Sequence, residues 1–94
     1  ASAVCAVNEQ GIVILTNDAF RRRTSYSKLQ VDGAHFADWL AEPGQTPPDW
    51  QQIRNHCQPS DTISIHGLTG QSHPARLRQH AAGTAKIWIA ILEE

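Results

Sequence analysis

Long apolar runs are missing from this sequence. None approaches the ~20 residues a helix needs to span a bilayer, which excludes a helical membrane anchor within these 94 residues. Charge of one sign is missing too. Eight Lys and Arg stand against nine Asp and Glu, a net charge of −1, so nothing here steers the chain to nucleic acid or an anionic lipid surface. Cysteine is scarce. Cys5 and Cys57 cannot make a disulfide framework. Both read as reduced thiols, Cys5 within an apolar run and Cys57 near a helix end. Metal-ligand spacings such as Cys-x-x-Cys or His-x-x-x-His do not occur, so no metal site is expected from the five histidines. A Gly-x-Ser-x-Gly elbow and a Gly-rich phosphate loop with Lys are absent. Asp and Glu lie at the ends of expected elements, where capping accounts for them. The chain is therefore not expected to be an enzyme. No basic leader precedes an apolar stretch, so no targeting segment is visible and a cytoplasmic location is expected. There is no internal repeat, and the length suits one domain, residues 1–94.

What is present is a regular alternation of strand-like and helix-like segments. Residues 4–7 and 12–16 are short apolar runs around Asn8-Glu-Gln-Gly11, which reads as a β-hairpin. Asn17 or Asp18 can cap a helix over residues 19–23. Ser27 can cap a second over 28–31, stopped by Gly33. Phe36, Trp39 and Leu40 then follow at the spacing of one helical face. After a loop, Pro47 and Pro48 suit a helix entry and Asp49 favours its N-terminus. Trp50, Ile53 and Cys57 form one apolar face of a segment spanning 48–57, which Pro59 ends. Residues 61–66, 74–79 and 84–92 read as strands, with turns at 67–71 and 82–83. The order β-β-α-α-α-β-β-β predicts an α+β domain: a five-stranded antiparallel sheet with short helices packed on one face.

The local residues carry a resemblance. Asn17, Ala19, Phe20, Thr24, Tyr26, Ser27 and Gly33 stand at the spacings of the Asn-x-Ala-Phe and Thr-Gly-Tyr-Ser motifs of PAS domains. Phe36 and Leu40 fit the apolar positions that usually follow, and residues 87–94 resemble the closing strand. The match is strong over 4–40 and rests on strand pattern over 60–94. Two positions depart from the family pattern. Ser25 replaces a glycine, so a different turn geometry is expected, and Lys28-Leu29-Gln30 replaces an acidic pair.

The resemblance implies a sensory module cut from a larger signalling protein, such as a histidine kinase of a two-component system, a diguanylate cyclase or a transcription regulator. It implies a small-ligand pocket between the inner sheet face and the helices, lined by Phe36, Trp39, Ile53, Cys57, Ile63, Ile65, Leu77 and Ile89. No cofactor is the first expectation. Haem is the alternative, because some oxygen-sensing members ligate iron from the helix before the third strand, where His56 lies. The Asn-Cys-Arg-Phe-Leu-Gln helix of the flavin photosensors has no counterpart, so flavin is not expected. Arg21, Arg22 and Arg23 read as a solvated face, not as a nucleic-acid contact.

The strands 12–16 and 84–92 are apolar on both sides. One side packs the helices, and the other is expected to be an exposed apolar face through which the chain dimerises. Ile12, Ile14, Trp88, Ala90 and Leu92 are assigned to it. Without a ligand, the domain would be a purely structural dimerisation module. For the last hairpin, pairing of Ile63 with Leu77 and of Ile65 with Ala75 is expected, which places His66 and His73 on opposite faces.

Overall fold

The computed structural model describes residues 2–41, 44–56 and 62–93. Five strands form one antiparallel sheet: β1 (Val4–Val7), β2 (Val13–Thr16), β3 (Thr62–His66), β4 (Ser72–Ala82) and β5 (Ala85–Leu92). Their order across the sheet is β2-β1-β5-β4-β3. Between β2 and β3 come α1 (Asp18–Thr24), α2 (Lys28–Val31), a 3-10 helix (Phe36–Leu40) and α3 (Trp50–His56). The α+β architecture and the element order are those expected from the sequence.

The hairpin β1–β2 is set by its turn. Asn8 Oδ1 accepts from the N–H groups of Gln10 and Ile12 at 3.0 and 2.9 Å. Gly11 takes φ 81°, and a Cβ there would lie 2.7 Å from Trp50 Cγ. The position therefore needs glycine both for its backbone and for the close approach of an indole. A bulge at Ala6/Val7 lets two consecutive residues of β2 point outward. Ile14 and Leu15 are accordingly 50% and 65% exposed while Val13 and Thr16 are buried.

Asn17 does more than turn the chain. Its Oδ1 caps α1 by accepting from Phe20 N–H at 2.9 Å and also accepts from Val4 N–H at 3.0 Å. One side chain thus satisfies a helix terminus and ties it to the first strand. α1 ends at Ser25, whose φ of 67° is the one positive value among the described non-glycine residues. The turn therefore has the left-handed geometry that glycine favours, not the different geometry expected from the substitution. Ser27 and Gln30 close α2 with a reciprocal capping box.

In the last hairpin Ile63 pairs with Ala75 and Ile65 with His73. The register is two residues away from the expected one. The loop closes at Gly67–Gln71, where Gly67 N–H donates to Gln71 O at 2.7 Å, so the turn centres one residue earlier. His66 and His73 still belong to opposite faces, because His73 pairs with core-facing Ile65 and His66 with Ser72.

The core lies between the helices and one sheet face. Register and burial assign to this inner face Cys5, Val7, Val13, Ile65, Ala75, Leu77, Trp88, Ala90 and Leu92. The small residues Ala75 and Ala90, both fully buried, let the helical layer come close.

Candidate functional site

Six aromatic side chains are all the chain has, and they form one connected series across the gap between helices and sheet. Tyr26 stacks on Trp39 with centroids 5.2 Å apart, and Phe20 lies 5.6 Å from the same indole. Phe36 meets Trp39 at 6.2 Å and Trp50 edge-on at 5.7 Å. Trp50 in turn meets Trp88 edge-on at 5.6 Å. Tilted and edge-to-face rings at these separations are favourable beyond the area they bury. Two polar atoms along the series find partners. Tyr26 Oη donates to His66 O at 3.0 Å, and Trp50 Nε1 donates to Glu9 O at 3.0 Å. Arg54 donates to the same carbonyl at 3.0 Å and sets its guanidinium 5.6 Å from the Trp88 ring centre.

Of the expected pocket residues, Phe36, Trp39, Ile65 and Leu77 are buried in the core, and Ile53 and Ile63 pack against it. They lie between helices and sheet as members of the core or in contact with it. Ile89 is a correction. It pairs with Ala6 and Arg78 on the outer sheet face and is only half-buried. Cys57 and the side chain of His56 lie outside the described residues. The rings of Trp39, Phe36 and Trp50 meet one another between helices and sheet. Among the described residues, no three His, Cys, Asp or Glu side chains gather into a metal site. No described helix is long and apolar enough to cross a membrane.

The expected outer face needs a larger correction. Trp88, Ala90 and Leu92 are 5%, 0% and 2% exposed and point into the core. Alternation in β5 therefore sends Ile87, Ile89 and Ile91 outward. Ile14 does face solvent, while Ile12 is half-buried in a bridge to His35. The true outer face carries Leu15 on β2, Val4 and Ala6 on β1, and the three isoleucines of β5.

A polar cluster forms where α1 meets the end of β5. Arg23 donates to Glu93 O at 2.7 Å, Glu93 N–H donates to Pro74 O at 2.8 Å, and Glu93 Oε1 accepts from Arg76 Nε at 2.7 Å. The Arg23 Nη1, His66 Nδ1 and His73 Nε2 atoms are buried without a hydrogen-bond partner among the described residues. Desolvation by burial, with a further contribution from Arg23, pushes the His73 imidazole below its ordinary pKa. Burial raises Tyr26 and pushes the Cys5 thiol up to about 12, which makes Cys5 a poor nucleophile. No periodic pattern could signal the Arg23–Glu93 contact, since the partners are 70 residues apart.

This geometry has close counterparts among solved structures. The PAS domain of a protein from Desulfitobacterium hafniense superposes with a TM-score of 0.77 at 16% identity, over 99% of this chain and 92% of that one. A PAS domain from a two-component sensor histidine kinase gives 0.73 at 18% identity, over 99% and 84%. This is a PAS fold. The blue-light photoreceptor Vivid in its photo-excited form also matches, with a TM-score of 0.69 at 16% identity, covering 99% of this PAS-fold chain and 78% of the photoreceptor. No family model matches the sequence, and no curated protein does. At these identities the PAS likeness is one of fold.

Proposed function

We propose that this chain is a regulatory PAS module of a larger signalling protein and that it works through its outer sheet face. The observation that carries the reading is the sidedness of β5. Trp88 closes the aromatic series inside, and Ile87, Ile89 and Ile91 are left half-buried on the outside. A sheet face bearing three isoleucines, Leu15 and Val4 is an association surface, because exposed contiguous apolar area is costly in water. The interior favours the same reading. A small-ligand sensor keeps room between helices and sheet, whereas here that space holds the chain's own rings. Sensor proteins among the structural counterparts support the signalling role, and the end of β5, gripped by Arg23 and Arg76, is the point at which a following output domain would feel a change on the face.

Two measurements test this. Haem, flavin mononucleotide and a panel of apolar metabolites are expected to leave the melting temperature unchanged. A ligand that raises it by several degrees overturns the filled-interior reading. The double variant Ile89→Ser, Ile91→Ser is expected to lose binding of an apolar-surface dye such as anilinonaphthalene sulfonate, together with any self-association seen by light scattering, while keeping its far-UV spectrum. Identical dye binding and mass for both proteins would refute the outer-face assignment.

A further inference from the structure

Glu93, the residue after β5, is held from three sides. Its carbonyl accepts from Arg23 Nη2 at 2.7 Å, its N–H donates to Pro74 O at 2.8 Å, and its carboxylate accepts from Arg76 Nε at 2.7 Å. The pair with Arg76 is exposed, and exposed pairs contribute little in water. Arg23 is the partly buried member of the set, and it ties α1 to the end of the sheet.

His73 lies against the same turn of α1. Leu68 N–H, in the loop between β3 and β4, donates to Thr24 O at 2.8 Å. Gly67 sits so tightly there that a Cβ on it would lie 3.3 Å from Thr24 Cα and 3.4 Å from His73 Nε2. Arg23 Nη1 and His73 Nε2 are both buried with no hydrogen-bond partner among the described residues. The other titratable groups around them are committed or turned away. The Tyr26 hydroxyl donates to His66 O, and the His66 ring belongs to the opposite sheet face. Asp38, on the 3-10 helix that packs on β3, is exposed. The Glu93 carboxylate is spent on Arg76. Burial and Arg23 alone depress the imidazole, so no carboxylate offsets a second positive charge beside Arg23.

Protonation of His73 makes Nε2 a buried N–H donor of the same charge as Arg23 Nη1, with no acceptor for either. His73 is fixed in β4, whereas Arg23 is a long side chain with access to solvent. The conflict is relieved when Arg23 swings away and gives up the Glu93 carbonyl. We propose that Arg23, His73 and the Glu93 carbonyl form an acid-sensitive latch on the end of β5, closed while His73 is neutral and open once it is protonated. Its use as a signal to a following domain rests on the module reading above, but the latch itself does not.

NMR of labelled protein tests this from about pH 7.5 to about pH 5, a range that spans histidine and stops above the ordinary carboxylate values. The Glu93 amide and Arg23 Nε signals are expected to move with the midpoint of the His73 ring, below 6.5. The Glu93 amide order parameter should fall over the same interval from about 0.8 to below about 0.6. His73→Gln should keep Glu93 ordered throughout, Arg23→Gln should leave it mobile at every pH, and His66→Gln should not move the midpoint. An unchanged Glu93 while His73 titrates overturns the latch, as does a His73 ring that never titrates in this range. So does a transition that survives His73→Gln, or an Arg23→Gln protein whose Glu93 stays ordered. The module reading is judged separately, by the dye and light-scattering results for Ile89→Ser with Ile91→Ser, which touch none of the latch residues.

Discussion

Trp39→Ala removes the ring at the centre of the aromatic series. Trp39 is 6% exposed and contacts Phe20, Tyr26 and Phe36. Burying an aromatic side chain removes ~150–250 Å² from water, which at ~25 cal/mol per Å² is about 4–6 kcal/mol and an upper bound, since the unfolded chain already hides part of that area. Large-to-small aromatic substitutions in cores cost about 3–5 kcal/mol. About 4 kcal/mol is therefore expected, a large fraction of the ~5–15 kcal/mol that holds such a domain together. At ~4–8 °C per kcal/mol, the melting temperature should fall by more than about 15 °C. Thermal unfolding followed by circular dichroism reads this, with Trp39→Phe as a milder control that should lose less than half as much. The cavity left behind is apolar, so added indole should restore part of the loss in the alanine variant and do nothing to the parent. A fall of under about 5 °C, or equal responses to indole, would show that the gap is not filled as described.

Other consequences follow from single sites. Asn17→Ala removes the cap of α1 and the acceptor for Val4 N–H together, so a loss of about 2 kcal/mol is expected, with faster amide exchange at both Val4 and Phe20. Equal loss of protection throughout the chain would argue against a local tether. Ser25→Gly should stabilise the domain by about 1 kcal/mol in urea unfolding, since Ser25 holds a left-handed φ of 67°. A destabilised Ser25→Gly would mean the hydroxyl matters more than the backbone. The His73 imidazole is depressed below its ordinary value of 6.5 by burial and by Arg23. Above that value both folded and unfolded forms are neutral and nothing changes. On acidification the unfolded chain takes its proton first, so stability should decline as pH drops below 6.5. His73→Gln should flatten that part of the urea-midpoint profile, and an unchanged slope would remove His73 from the explanation.

Much of this architecture was legible from residue order. Asn17, Ser27 and Gly33 mark helix boundaries by hydrogen-bonding and backbone chemistry that act within a few residues, and the structure places α1 and α2 between them. Strand alternation was equally legible, but it separates two faces without saying which one is inward. In β5 both candidates are apolar. Ile87, Ile89 and Ile91 carry as much aliphatic surface as Trp88, Ala90 and Leu92. The choice is made by packing across the gap, where Trp50 meets Trp88 and where Ala90, beside Leu77 and Ala75, leaves room for the helical layer. Such contacts join residues 38 positions apart in the case of the two tryptophans, and no local pattern encodes them. The bulge that turns Ile14 and Leu15 outward together is a second case, because it breaks the period-2 rule from which faces are read. Phe36, Trp39, Ile65 and Leu77 were legible as apolar positions and are buried, but the ring-to-ring contacts of Phe36 and Trp39 depend on packing that spacing does not encode.

The orientation of β5 underlies both the filled interior and the outer binding face. A soluble paramagnetic agent, with methyl and indole signals followed by NMR, tests it most directly. Ile87, Ile89 and Ile91 methyls should broaden strongly while Leu92 methyls and the Trp88 ring stay sharp. The opposite pattern, with Trp88 and Leu92 broadened and the isoleucines protected, would contradict the account.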